Sequence, residues 1–413
     1  MKRTTNDEPN FLSVEEALYR IEQDLQPIRG EEQLAIRSAL GSVLAEDVRS
    51  QINVPPHDNS AMDGYAVRGA DLPAEDKSQF PVVGTSLAGQ PYPETIQAGQ
   101  CARIFTGAVM PAGTDTVIMQ EQVDRQGDAI TIGAGHHKGE HVRPIGEDMA
   151  IGQTVLTAGK RLLPADIGLL ASLGIPEVKV KRRLRVAFFS TGDELRAVGE
   201  MLEPGQIYDS NRYTLHGMLT RLGIDFIDMG VVRDTPEAVE NAFLSAASGN
   251  DVIVTSGGVS VGDADYVTDT LRRLGQVNFW KVAMKPGKPL TFGKIQQAVF
   301  FGLPGNPVSA MVTFYQFVQP ALRRMMGQDK VMPTRFTVHC TSYLKKSPGR
   351  LEFQRGILET DEQGRLVVSS TGQQGSGILR SMSQANCFII LPTGCGNVAA
   401  GSEVLVEPFE GLV

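Results

Sequence analysis

The sequence has little of what most readily announces chemistry. Its four cysteines, Cys101, Cys340, Cys387 and Cys395, are scattered, with no C-x-x-C pair. A disulfide frame or cysteine zinc site is therefore not expected, and the four read as free core or surface thiols. Histidine is scarce, and the clustered His136, His137 and His141 lie in a glycine-rich loop. Their spacing suits zinc poorly, so a structural or solvent-facing role is the better reading. The single tryptophan, Trp280, reads as packing. No run approaches the ~18 apolar residues of a membrane span. The polar start MKRTTNDEPN has no apolar stretch of a secretory signal. A soluble cytoplasmic protein is the expectation. Basic residues are outnumbered, giving a formal charge of -8, which argues against a general nucleic-acid coat. An anionic ligand would need positive charge placed locally. Neither G-x-G-x-x-G nor a Walker A sequence occurs, and no Ser–His–Asp or Cys–His arrangement can be read.

What is there centres on Asp251–Asp265, DVIVTSGGVSVGDAD. Val252-Ile253-Val254 has the pattern of a strand buried on both faces. The run stops at Thr255-Ser256-Gly257-Gly258, where bare backbone N–H groups can approach an anion with no Cβ in the way. Asp263 and Asp265 follow, then a helical pattern over 266–274. Strand, glycine-rich loop, acid and helix place polar groups at the carboxyl end of a parallel strand, where open α/β sheets bind ligands.

The 413 residues exceed one ordinary core and imply two to four domains. Ser13-Val14-Glu15-Glu16 is a capping-box pattern, and Val14, Leu18, Ile21 and Leu25 share one helical face, predicting a helix over 13–25. A second helical piece is expected over 35–45. From 50 to 147 short β-prone runs alternate with glycine and proline, predicting a small β module. Its polar loops are 58–64, 105–108 and 143–148. Pro164 and Gly174 bracket a helix expected to pack on the N-terminal helices, which would make the β module an insertion. From 184 to about 327 strand and helix patterns alternate, predicting a doubly wound, mostly parallel sheet. Strands are expected at 184–189, 224–232, 251–255, 279–283, 290–292 and 298–301. Helices are expected at 212–222, 236–247, 266–274 and 308–326, the last disturbed by Pro320. From 331 the pattern is again β, predicting a small barrel.

After the α/β strands come Glu194, Asp234, Ser256-Gly257-Gly258 with Asp265, Lys285 with Lys288, and Pro304-Gly305-Asn306-Pro307. A parallel sheet would gather these loops on one edge. Carboxylates suit a hard cation such as Mg²⁺, and ammonium groups suit phosphoryl charge. The PGNP run precedes a helix N-terminus, itself favourable to anions. A binding site for a phosphorylated ligand is expected there.

DNSAMDGYAVR (58–68), RIFTGAVMPAG (103–113), GEDM (146–149), STGDEL (190–195), IYDSNRY (207–213), TSGGVSVGDADY (255–266), KPGKP (285–289) and GLPGNPVSA (302–310) together resemble the MoeA family of molybdopterin molybdotransferases and the homologous gephyrin E domain. The resemblance covers nearly the whole chain. The SGGVSVG loop alone is less specific, being similar to that of the molybdopterin adenylyltransferases. A basic run often precedes the GEDM motif in the family; here Pro144-Ile145 interrupt it and leave Arg143.

The resemblance implies a split N-terminal domain (10–49 and 148–183), an inserted β domain (50–147), a molybdopterin-binding α/β domain (184–330) and a C-terminal β barrel (331–413). It implies a homodimer with active sites shared between subunits, and handover of substrate from a molybdopterin adenylyltransferase. The implied reaction inserts molybdate into adenylylated molybdopterin, with pyrophosphate hydrolysis and AMP release. By resemblance, Glu194, Asp234 and Asp265 would hold Mg²⁺ and position phosphates. Ser256, Gly257, Gly258, Ser260 and Gly262 would cradle phosphate. Lys281, Lys285 and Lys288 would stabilise phosphoryl charge, with Pro304, Gly305, Asn306 and Pro307 beside the substrate. Arg355 and Ser376 would help hold molybdate. Asp63, Thr106, Arg143 and Asp148 would serve the site from the β domain. The competing readings are an adenylyltransferase consuming ATP and a catalytically idle scaffold that binds partners through dimerisation, with an unrelated sugar-phosphate or nucleotide binder as the residual option.

Overall fold

The computed structural model describes residues 11–257 and 266–409, apart from the side chains of Tyr266 and Phe279. Ser13 caps the first helix, Val14–Asp24: its Oγ accepts from Glu16 N at 3.0 Å. The buried face of this helix, Val14, Ala17 and Ile21, enters the main core with Leu322 and Met325 of the α/β region. The chain just before it is stitched to the same region by Leu12 N to Lys281 O at 2.9 Å.

The helix expected over 35–45 is not formed. Strand Glu31–Ala35 leads into one 3₁₀ turn, Ile36–Ser38. The backbone that follows finds partners far along the chain, with Gly41 N bonding Leu162 O and Leu44 N bonding Lys160 O. Gly41, at φ +79°, allows the turn. Strand Glu31–Ala35 pairs antiparallel with Glu177–Lys181, and Val48–Arg49 with Thr154–Leu156. Helix Pro164–Ser172 packs on the 34–44 segment, through a cluster containing Ile36, Leu44, Ile167 and Leu170. It does not pack on the first helix, which is absorbed by the α/β core.

Between these segments lies a six-stranded sheet in the order Thr116–Met119, Gly64–Val67, Cys101–Ile104, Ser78–Ser86, Ala129–Ile132, Val123–Gln126. The long strand Ser78–Ser86 pairs with Ala129–Ile132 in its first half and with Cys101–Ile104 in its second.

The α/β sheet has the order Asp225–Val232, Arg185–Thr191, Val252–Ser256, Ala298–Leu303, Pro289–Ile295, Gly275–Lys281. The first four run parallel. Pro289–Ile295 is antiparallel to Ala298–Leu303 because a two-residue turn joins them, with Gln296 at φ +54°. Gly275–Lys281 reverses again, so its carboxyl end returns to the edge where the parallel strands end. This register also moves the expected 279–283 strand towards the amino side. Alternate residues serve opposite faces: Val186, Phe188, Val252 and Val254 enter one cluster, Ala187, Phe189 and Ile253 the other. Each such buried large side chain contributes roughly 1.5–3 kcal/mol.

The last helical stretch contains a π turn, Phe314–Val318, between Pro307–Thr313 and Gln319–Met325. Pro320 has no N–H for the Gln316 carbonyl and its ring would crowd that oxygen, so the wider turn relieves the conflict. The C-terminal strands Leu351–Thr360, Leu366–Ser370, Phe336–Cys340, Glu403–Pro408 and Cys387–Leu391 close into a barrel. Met284–Lys285 attaches beside Leu351–Thr360 and couples barrel to sheet. All four cysteines are free thiols.

Candidate active site

The carboxyl ends of the α/β strands open into a cavity of about 1030 Å³. Arg185–Thr191 delivers Thr191, Gly192 and Glu194; Asp225–Val232 delivers Asp234; Val252–Ser256 delivers Ser256 and Gly257. The connection after Gly275–Lys281 supplies Met284 to Lys288, and Ala298–Leu303 is followed by Pro304, Gly305, Asn306 and Pro307. The wall is completed by the start of helix Ser210–Leu222 and by barrel residues Arg350 and Gln374 to Gly377. The barrel loop is tied down: Val308 N donates to Ser376 O at 3.0 Å.

Backbone approaches closely here. Gly257 has φ +87°, and a Cβ on it would lie 2.5 Å from Thr191 O. The hydroxyl of Thr191 is buried and has no hydrogen-bond partner among the described residues. Asn211 donates from Nδ2 to Ser256 Oγ and to Gly305 O, both at 2.7 Å, clamping two strand-end loops. Lys285 Nζ meets Glu352 Oε1 of the barrel at 3.0 Å, and Gln354 Nε2 donates to the same oxygen at 3.1 Å. Lys288 Nζ lies 5.0 Å from the centroid of the Phe11 ring. Asp234 N donates to Asp193 Oδ1 at 3.3 Å.

Two acidic residues, Glu194 and Asp234, line the cavity together with Thr191 and Ser256. This is a hard-oxygen donor set, and it fits Mg²⁺, which is held by one or two protein carboxylates together with substrate phosphates. The described residues contain no group of three or more His, Cys, Asp or Glu able to hold a metal by themselves. Asp265, Gly258, Ser260 and Gly262 lie outside the described residues.

Of the residues anticipated from sequence, Glu194, Asp234, Ser256, Gly257, Lys285, Lys288, Pro304, Gly305, Asn306, Pro307 and Ser376 line this cavity together. Lys281 does not: it is exposed at the end of its strand. Arg355 does not line the cavity either, and is 1% exposed. Its guanidinium donates to Ser381 Oγ at 3.0 Å and to Gly375 O at 3.2 Å, while its N–H donates to Gln374 Oε1 at 2.8 Å. Burial brings the guanidinium pKa down to about 10, leaving it charged at neutral pH. Arg355 therefore braces the loop that carries Ser376.

Asp63, Thr106, Arg143 and Asp148 also lie away from this cavity within the chain. Thr106 donates from N and Oγ1 to Asp63 Oδ1 at 2.8 and 2.7 Å. The Thr106 hydroxyl, then its N–H, hold the Asp63 carboxyl below its usual range, with help from Arg103. The Arg103 guanidinium lies over the Tyr65 and Phe105 rings, 5.0 and 4.9 Å from their centroids. Arg143 pairs through its backbone with Asn59, and exposed Asp148 donates from N to Val54 O. In the same module the Glu140 carboxylate is met by His136 Nδ1 at 3.2 Å, His141 Nε2 at 3.4 Å and His137 Nδ1 at 3.5 Å.

Sequence reasoning missed Thr191, Asn211, Arg350 and Gln374. The helix starts at Ser210, two residues before the expected 212, with Asp209 accepting from Arg212 N at 3.2 Å as its cap. Nothing local shows that the Asn211 amide leaves its helix to reach loops 45 and 94 residues away.

Three family models match the chain: "MoeA N-terminal region (domain I and II)" over residues 12–174, "Probable molybdopterin binding domain" over 187–324, and "MoeA C-terminal region (domain IV)" over 337–409. A molybdopterin molybdenumtransferase of Haemophilus influenzae is 47% identical, covering 98% of this chain and 100% of that protein. Gephyrin of Dictyostelium discoideum is 34% identical, over 96% of this chain and 62% of its own length. The crystal structure of a molybdopterin biosynthesis MoeA protein from Pyrococcus horikoshii OT3 superposes with a TM-score of 0.84 at 29% identity, covering 97% of this chain and 100% of that one.

Proposed function

Since the chain belongs to the MoeA family, we propose that it is a molybdopterin molybdenumtransferase acting on adenylylated molybdopterin. It inserts molybdate and releases AMP. The observation that carries this reading is the cavity where carboxylates, lysines and bare backbone from five strand ends meet a barrel loop. Such a surface suits a long phosphorylated ligand with a small oxyanion beside it.

In this reading Ser256, Gly257 and the Pro304–Pro307 turn receive phosphoryl oxygens through hydroxyl and main-chain N–H donors. Lys288 faces the phosphoryl charge directly. Lys285 shares its charge between the substrate and Glu352, so the pair also sets where its ammonium group stands. Glu194 and Asp234 would hold Mg²⁺, with Asp265 as the third carboxylate. Bound there, the ion would neutralise phosphoryl charge and orient the pyrophosphate. Water adds to one phosphorus of the pyrophosphate, the bridging P–O bond breaks, and AMP leaves with that oxygen. The lysines stabilise the charge that develops on it. The dithiolene sulfurs that receive molybdenum belong to the substrate, so no protein cysteine is required. Ser376 stands beside the oxyanion, on the loop that Arg355 braces.

Asp63, Thr106, Arg143 and Asp148 belong in this reading to a site completed by a second copy of the chain. The adenylylated substrate is handed over by a molybdopterin adenylyltransferase. The test is AMP release from adenylylated molybdopterin by the purified protein, with and without molybdate and Mg²⁺. AMP release coupled to formation of molybdenum cofactor is expected. Substrate binding with no AMP under any condition overturns the reading; ATP consumption with pyrophosphate release makes the chain an adenylyltransferase.

A further inference from the structure

Asn211 is a buried polar side chain that the mechanism above leaves unused. It stands in the first turn of Ser210–Leu222 and is 8% exposed. Its Nδ2 donates to Gly305 O and to Ser256 Oγ, both at 2.7 Å. A main-chain carbonyl only accepts, so nitrogen must face Gly305, which fixes the orientation of the amide. Both of its N–H bonds are then used. Among the described residues this is the one hydrogen bond of the Ser256 hydroxyl. Ser256 accepts through it, so its own proton must be given elsewhere, and Ser256 lines the cavity. Asn211 Oδ1 is buried with no partner among the described residues, so the residue is not there to satisfy itself.

We propose that Asn211 is a positioning residue that commits the Ser256 hydroxyl to donate into the cavity, towards a phosphoryl oxygen of the ligand. The same amide holds the Gly305 turn at a fixed distance from Ser256, so that two anion-facing loops keep one spacing. No other side chain of this shape does both. An aspartate would set a carboxylate against the Gly305 carbonyl and would draw the Ser256 proton inward. A leucine would leave the hydroxyl free to rotate. The inference rests on the proposed function only in taking the ligand to carry phosphoryl oxygens.

The test is a double-mutant cycle of Asn211→Leu and Ser256→Ala in the full chain. The probe is inorganic pyrophosphate, titrated calorimetrically in Mg²⁺-containing buffer, with melting temperature recorded for each variant. Each single change is expected to weaken binding about tenfold, the size of one hydrogen bond to a charged group. The double variant is expected to lose far less than the roughly hundredfold product of the two, because once the Ser256 hydroxyl is gone Asn211→Leu removes only the hold on the Gly305 turn. With adenylylated molybdopterin as substrate, the single variants should raise KM more than they lower kcat. If the leucine variant does not fold, Asn211→Ala enters the same cycle. Losses that multiply in the double variant overturn the proposal, as does a wild-type chain that binds no pyrophosphate. Coupled losses in a chain that releases no AMP uphold the role of Asn211 while breaking the proposed activity.

Discussion

The strand Val252–Ser256 has two ends, and they treat polar groups in opposite ways. At its amino end Asp251 is saturated: Arg182 donates to both carboxylate oxygens at 2.7 and 2.8 Å, and Arg185 N adds a third bond at 2.8 Å. Burial works against that carboxylate, but the Arg182 and Arg185 contacts outweigh it and hold its pKa low. At the carboxyl end the polar groups are incompletely matched. Among the described residues Thr191 Oγ1 and Asn211 Oδ1 are buried without partners, and Ser256 keeps a proton to give. A closed cluster of charges braces a fold, whereas a cluster left open at a cavity is prepared for something else. The Asp63–Thr106 pair of the β module is of the closed kind within one chain.

The largest effect should come from the open end. Glu194→Ala is expected to melt like the parent and to lose Mg²⁺-dependent AMP release by about a hundredfold or more, the scale of losing a charge-stabilising group; turnover near the parent's would remove Glu194 from the site. Asp63→Asn should also impair turnover. Mixing it with Glu194→Ala should restore part of the activity if a second copy completes the site. Confirmed mixed dimers with no recovery would count against a shared site.

Arg355→Met should act through its loop. Losing the bonds to Gly375 and Ser381 is expected to cost about 1–3 kcal/mol of stability, and to raise KM for the substrate with a smaller change in kcat. A kcat loss as large as that of Glu194→Ala would place Arg355 in contact with the reacting atoms.

The smallest effect on turnover should come from the closed end. Asp251→Asn should lower the melting temperature, by roughly 1–3 kcal/mol of stability, and leave kcat nearly unchanged. The sign of its pH dependence follows from the depressed folded pKa. The stabilisation is present above the unfolded carboxylate value of about 3.9, and is lost as pH falls through the lower folded value. Acid unfolding of the parent and of Asp251→Asn should therefore begin to converge as pH falls below about 4 and meet only below the depressed folded value. A constant gap down to the lowest pH would assign the effect to packing.

The sequence by itself determined the elements whose causes are local. The Ser13 cap, the buried β-branched run at 252–254, Pro164 at a helix start and the disturbance before Pro320 each follow from a few neighbouring side chains. It also determined which strand-end loops carry acids, lysines and bare backbone. The resemblance to a family extended that reading to loops outside the α/β region. Only the tertiary structure decided where those loops meet. The first helix joined the α/β core because its apolar face found Leu322 and Met325 there. The stretch 35–45 gave up helix because distant carbonyls at 160 and 162 took its N–H groups. Arg355 is buried because the barrel closes over it, and Asn211 entered the site because a helix start was packed against two strand ends. Local pattern reports each residue's own preference, but a buried donor is matched by whatever acceptor the packed chain brings within reach, at any separation in sequence.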